Sequence, residues 1–149
     1  MQMKRILSYI YFSLLFALGI ACSGAGNNNM KLQEQILAVH DSIMPKMGEF
    51  VRDELKIGVL STKMDSLKAH YPDLDTLKEK EALLSLQQKL KAVNESMTDW
   101  MHAFEPEQES KTAEETQKYL QDELQNIRKL RETFLQTEQE SEKLLAKYK

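Results

Sequence analysis

The chain has 149 residues, with 20 lysines and arginines against 23 aspartates and glutamates, and a single cysteine. A formal charge of −3 excludes a cationic nucleic-acid surface and a polybasic grip on anionic lipid, both of which need clustered lysine and arginine. One cysteine excludes an internal disulfide, and the length fits one domain.

Residues 1–21 read as an export signal. Lys4 and Arg5 supply a basic start and Ile6 to Ala21 an apolar run of 16 residues, shorter than the ~20 needed for a permanent bilayer span. Gly19-Ile20-Ala21-Cys22 reads as a lipoprotein cleavage box, with the usual leucine one place further back at Leu18. Ordinary signal-peptidase cleavage is the competing reading, since Gly19 and Ala21 are both small. A lone thiol in an oxidising compartment is a liability unless it is used, so Cys22 is the expected site of lipidation, a palmitate-type membrane anchor. The expected location is the cell envelope, at the outer membrane, facing the periplasm or the surface. With Lys4 and Arg5 removed, the formal charge falls to −5, so the lipid alone makes the membrane connection. Residues 22–29, the lipidated cysteine and then Ser-Gly-Ala-Gly-Asn-Asn-Asn, read as a flexible tether.

Residues 30–149 read as a helical bundle domain. Ile36, His40, Ile43, Met47, Phe50, Ile57, Leu60, Met64 and Leu67 keep one helical stripe from about Met30 to Ala69. Pro45 removes a backbone donor within it, which predicts a kink without a break. His70-Tyr71-Pro72-Asp73 is a turn, and Asp73, Asp75 or Thr76 can cap the next helix. Thr76 with Glu79 fits a capping box, after which Leu83, Leu86, Leu90, Val93, Met97, Trp100 and Phe104 step by threes and fours. Glu105-Pro106 ends this helix. Thr112 with Glu115 forms a second capping box, opening a helix that buries Leu120, Leu124, Ile127, Leu130, Phe134, Leu144 or Leu145, and Tyr148. Its seam turns polar at Thr137, Glu138 and Ser141, which predicts loosely packed last turns. The expected fold is all-α, an up-down-up antiparallel three-helix bundle with coiled-coil-like packing, its first helix kinked at Pro45.

No HExxH, GxSxG or CxxC motif occurs, and no nucleophile stands beside a base, so neither an enzyme nor a cofactor is expected. Antiparallel pairing about the turn near residue 72 brings His40, Met44, Met47, Met97 and Met101 to one level, with Trp100 beside them. Thioethers and imidazole suit a soft metal such as Cu(I), which makes these five residues a candidate metal site. Equally, methionine is an adaptable filler for the gap that a proline kink opens.

His40-Asp41-Ser42-Ile43-Met44-Pro45-Lys46-Met47-Gly48-Glu49, with Met97-Thr98-Asp99-Trp100-Met101-His102-Ala103-Phe104, resembles a family of small Bacteroidota lipoproteins. Members commonly carry the name viral A-type inclusion protein or hypothetical lipoprotein. The resemblance implies an exported, lipid-anchored helical protein and implies no activity; the expected partners are the membrane, through the lipid anchor, and an envelope protein. Asp41-Ser42-Ile43, Asp65-Ser66-Leu67 and Asp75-Thr76-Leu77 are similar to the short O-glycosylation motif of exported proteins of that phylum. Thr76, beside a turn, is the expected most accessible acceptor and Ser66 another, while Ser42 is expected to be packed.

Overall fold

The computed structural model describes residues 23–108 and 110–148. The export segment 1–21 and Cys22 lie outside the described residues. The fold is all-helical: α1 spans Ser23–Thr62, α2 Met64–His70, α3 Thr76–Ala103 and α4 Ala113–Leu145, ending in a short 3-10 turn Ala146–Tyr148. The helices pack together, and each of α1, α3 and α4 contacts the other two.

Four helices replace the expected three because the first one breaks at Lys63. Its backbone leaves the helical region at φ −114° and ψ 30°, closing α1 through a short bond from its N–H to the Leu60 carbonyl (3.0 Å). The cause lies just upstream. Ser61 Oγ donates to the Ile57 carbonyl and Thr62 Oγ1 to the Val59 carbonyl, both at 2.8 Å, so hydroxyls compete for the acceptors that backbone N–H groups would use. Pro45 lies exposed inside the unbroken α1.

At the other end α1 begins at Ser23, so the segment expected to be a flexible tether is helical. Asn29 Nδ2 donates to the Ala113 carbonyl at 3.2 Å, which ties this turn to the start of α4. Extending a helix that already exists needs only propagation, a cost that a small, polar composition overstates.

Three cross-helix contacts set the register of α1 against α3. His40 meets Met101, Met47 meets Asn94 and Glu54 meets Gln87, so every seven-residue advance on α1 is a seven-residue retreat on α3. That step is the coiled-coil repeat. On α1 it buries Ile36, Ile43, Phe50 and Ile57, and on α3 it buries Leu83, Leu90 and Met97. Between α1 and α4, Phe50 stacks on Phe134 with ring centroids 5.1 Å apart and planes 12° from parallel. The same offset sets Ile36 level with Leu120, Ile43 with Ile127 and Ile57 with Ser141, all fully buried.

The polar end of α4 is packed, contrary to expectation. Thr137 and Ser141 are buried, and the Ser141 hydroxyl donates to Asp53 Oδ2 at 2.5 Å. Lys46 pairs with Glu138 in a half-buried bridge from α1, and Lys89 pairs with Glu140 at 2.6 Å from α3. A satisfied hydroxyl costs little inside a core, which is why the seam can turn polar without loosening.

Capping agrees with the sequence at both α3 and α4, except that the box expected at Thr76 does not form. At α4, Thr112 Oγ1 accepts from the Glu115 N–H and Glu115 Oε2 accepts from the Thr112 N–H, the expected capping box. At α3 the cap is Asp75, whose carboxylate accepts from the Lys78 N–H at 3.2 Å. Thr76 therefore opens no capping box, and Glu79 is released for a tertiary role.

Candidate functional site

His40 stands on α1 at the edge of the core, half-buried, with both ring nitrogens occupied. Nε2 lies 3.3 Å from Met101 Sδ on α3, and Nδ1 lies 3.0 Å from Asp41 Oδ1. With the proton on Nδ1, given to the carboxylate, the Nε2 and thioether lone pairs face each other at contact distance, two donors of the soft type that Cu(I) takes. With the proton on Nε2, the ring donates a weak hydrogen bond to sulfur. The Trp100 ring is tilted 36° to the imidazole at a centroid distance of 6.1 Å.

The other sulfurs expected at this level are dispersed around it. Met97 is fully buried in the core, Met47 is half-buried and Met44 faces solvent. Pairing about residue 72 would set His40 level with Phe104, whereas His40 meets Met101, a shift of three residues; height also does not fix azimuth, since residues four apart on α1 still point about 40° apart. Among the described residues, no group of three or more histidine, cysteine, aspartate or glutamate side chains is placed to hold a metal ion.

Trp100 is an anchor, as its place in the α3 seam predicts. Its Nε1 donates to Glu123 Oε2 on α4 at 2.7 Å. The indole stacks on Phe104 at 5.0 Å, and Phe104 in turn on Tyr119 at 6.3 Å. Tyr119 closes the ladder: its hydroxyl oxygen accepts from the Glu105 N–H at 2.9 Å, and Lys111 Nζ sits 4.8 Å from its ring centroid. Burial pushes this hydroxyl above the ordinary tyrosine value. Sequence reading missed Tyr119, although its place directly before Leu120 put it beside the seam.

A second cluster closes the opposite end. Glu79 is buried and accepts from Lys147 Nζ and the Tyr148 hydroxyl, each at 2.6 Å. Tyr71 donates its hydroxyl to the Lys147 carbonyl at 3.0 Å, so the turn after α2 and the last turn of the chain hold each other. Burial, and after it the bond to Glu79, pushes the Tyr148 hydroxyl far above its usual range.

The most extended feature is an apolar stripe on the solvent side of α1. Met30, Leu37, Met44, Val51, Leu55 and Val59 are 38% to 68% exposed. At 100° per residue they fall within an 80° sector, and the other residues of that sector include one charged side chain, Asp41. A large apolar surface in water is the informative kind of exception.

Of the glycosylation candidates, Ser66 is exposed on α2 and Thr76 is half-buried. Ser42, expected to be packed, is exposed, its hydroxyl bonded to the Val39 carbonyl at 2.6 Å. Among the described residues, no helix is long and apolar enough to cross a membrane. His70 and His102 are exposed, and neither joins His40. Compared with family models, with curated proteins and with solved structures, the chain matches none.

Proposed function

We propose that this chain is a cell-envelope lipoprotein, anchored through Cys22, whose helices form a non-enzymatic interaction or structural module. Its three long helices run up, down and up, with α2 as a short spur at the first turn. The apolar stripe of α1 carries the reading: a helix that already packs on α3 and α4 spends six further large side chains on a face those neighbours leave open. The resemblance of the 40–49 and 97–104 segments to small Bacteroidota lipoproteins agrees with this reading, as does a negative charge unsuited to nucleic acid.

Two experiments test it. Mild crosslinking in intact envelopes, with pull-down after it, is expected to recover discrete adducts that a Leu37→Asp, Val51→Asp variant loses. Adducts that persist in that variant would place the contact elsewhere. Cys22→Ser is expected to abolish acyl labelling and to move the protein out of the membrane fraction; unchanged labelling and retention remove the anchor.

A second reading, a soft-metal site, is favoured by one contact, His40 Nε2 at 3.3 Å from Met101 Sδ with Asp41 on the far nitrogen. Cu(I) titration of the purified chain, monitored by the fluorescence of Trp100, the single tryptophan, discriminates. Stoichiometric quenching that disappears in His40→Ala, Met101→Leu supports a metal site, whereas the same weak response in both proteins assigns the contact to packing.

A further inference from the structure

The outward stripe of α1 repeats with the period of the inward one. Met30, Leu37, Met44 and Val51 are spaced by seven, as are Ile36, Ile43, Phe50 and Ile57, so both rows stay in line along a continuous helix. The inner row is covered by α3 and α4, and the outer row is covered by nothing among the described residues. A seven-residue row over roughly 22 residues, about 33 Å of helix, fits another straight helix lying alongside it.

Gly48 lies within this sector, in line with Met30 along the helix, and supplies an independent observation. Glycine inside a helix costs about 1 kcal/mol relative to alanine, so it calls for a reason. Inside the chain there is none: a Cβ at position 48 would meet only the Arg52 guanidinium, at 3.7 Å. The glycine leaves a dent in the exposed apolar stripe, with Met44, Val51 and Leu55 around it, where an incoming backbone or side chain can seat closely.

We propose that the occupant is a second copy of this chain, the α1 stripes packing on each other about a two-fold axis. The proposal rests on the interaction-module reading and names its partner. Self-pairing fits because one row of equally spaced apolar side chains is its own complement, as an isologous interface requires. The size also fits. Six large side chains at about half exposure present roughly 500–600 Å² per copy, and with their flanks about 1,200 Å² over two copies, the lower edge of a stable specific interface. Charge permits it too, since Asp41 is the one charged residue placed in the sector, the Arg52 guanidinium reaches over Gly48 from its edge, and an offset or antiparallel pairing keeps like charges of the two copies apart.

Sedimentation of the full chain in mild detergent tests the pairing. Expected are a dimer at micromolar concentration and, in Leu37→Asp, Val51→Asp, a dissociation constant at least ~100-fold higher with an unchanged circular dichroism spectrum. Gly48→Leu guards against a folding artefact. It is expected to raise the thermal midpoint, as a better helix former with room for its side chain, while weakening dimerisation ~10-fold or more. A wild-type monomer at all accessible concentrations overturns self-pairing, as does a dimer that both variants leave intact. A photo-crosslinker at position 44 in intact cells then separates the two claims: an adduct with a different protein leaves the interaction reading standing without self-pairing, and no adduct at all removes both.

Discussion

Replacing Trp100 by alanine removes the piece that joins α3 to α4 at the upper end of the bundle, and its cost can be assembled from contacts. Truncating a fully buried aromatic residue costs about 3–5 kcal/mol. Trp100 is half-buried, which brings the cavity component below that range, to about 1.5–2 kcal/mol. The bond from Nε1 to Glu123 at 2.7 Å adds about 1 kcal/mol, reduced from the value for a charged acceptor because Glu123 is itself half-exposed. The stack on Phe104 at 5.0 Å adds about 0.5–1 kcal/mol, part of which is already counted as burial. The expected loss is ~3 kcal/mol, or ~10 °C in thermal midpoint for a domain of this size. Trp100→Phe keeps most of the stack and loses the indole bond, so ~1–1.5 kcal/mol is expected, and His102→Ala, on the exposed side of α3, should stay within ~0.5 kcal/mol. Urea unfolding monitored by far-ultraviolet circular dichroism reads all three, since the only indole is lost in two of them. If Trp100→Ala costs under ~1 kcal/mol and cannot be separated from His102→Ala, the register that brings α3 against α4 here is wrong.

Alkaline stability should report the Glu79 cluster. The Tyr148 hydroxyl is held above its ordinary value of 10.0, so above that pH the unfolded chain releases a proton that the folded chain retains, and stability falls as pH rises. Urea midpoints should be nearly level between pH 7 and 9 and drop beyond ~10; Tyr148→Phe should start ~1 kcal/mol lower and drop less, and an identical slope in both proteins would detach Tyr148 from the effect. Intact mass of the native envelope protein should show glycan on Ser66 or Thr76, with exposed Ser66 as the major acceptor; a mass explained by polypeptide and lipid alone dismisses both.

The buried rows were legible because their spacing is a local property. Ile36, Ile43, Phe50 and Ile57 on α1, and Leu83, Leu86, Leu90, Val93 and Met97 on α3, announce themselves by threes, fours and sevens, and all are buried. The break at Lys63 was not legible in the same way. Leu60, Met64 and Leu67 stay in phase across it, so hydrophobic period argues for one helix, while the Ser61 and Thr62 hydroxyls that compete for backbone carbonyls act on a different level of structure. Polar core residues escape sequence reading for a third reason. Ser141 reads as a flaw in the seam until Asp53 is placed opposite it, 88 positions away in sequence, and Glu79 reads as a capping glutamate until Lys147 and Tyr148 arrive from the far end of the chain. Their meaning depends on partners that no local window contains.

Azimuth decides what remains. Height along α1 placed His40, Met44 and Met47 together, yet the turn of the helix sends Met44 to solvent while His40 reaches Met101. The same turn separates the two seven-residue rows of α1. Met30 and Ile36 are six residues apart, which sets their rows about 120° apart around the helix, and α3 and α4 pack on the Ile36 row and leave the Met30 row exposed. Helices α3 and α4 touch each other as well as α1, and that mutual contact fixes them on one side of it. An apolar row on the other side is therefore a consequence of the topology and not of a failure of packing. Its free energy in water is unfavourable for the isolated chain, by roughly 25 cal/mol for each Å² left exposed, and association is the way to recover it without changing the fold.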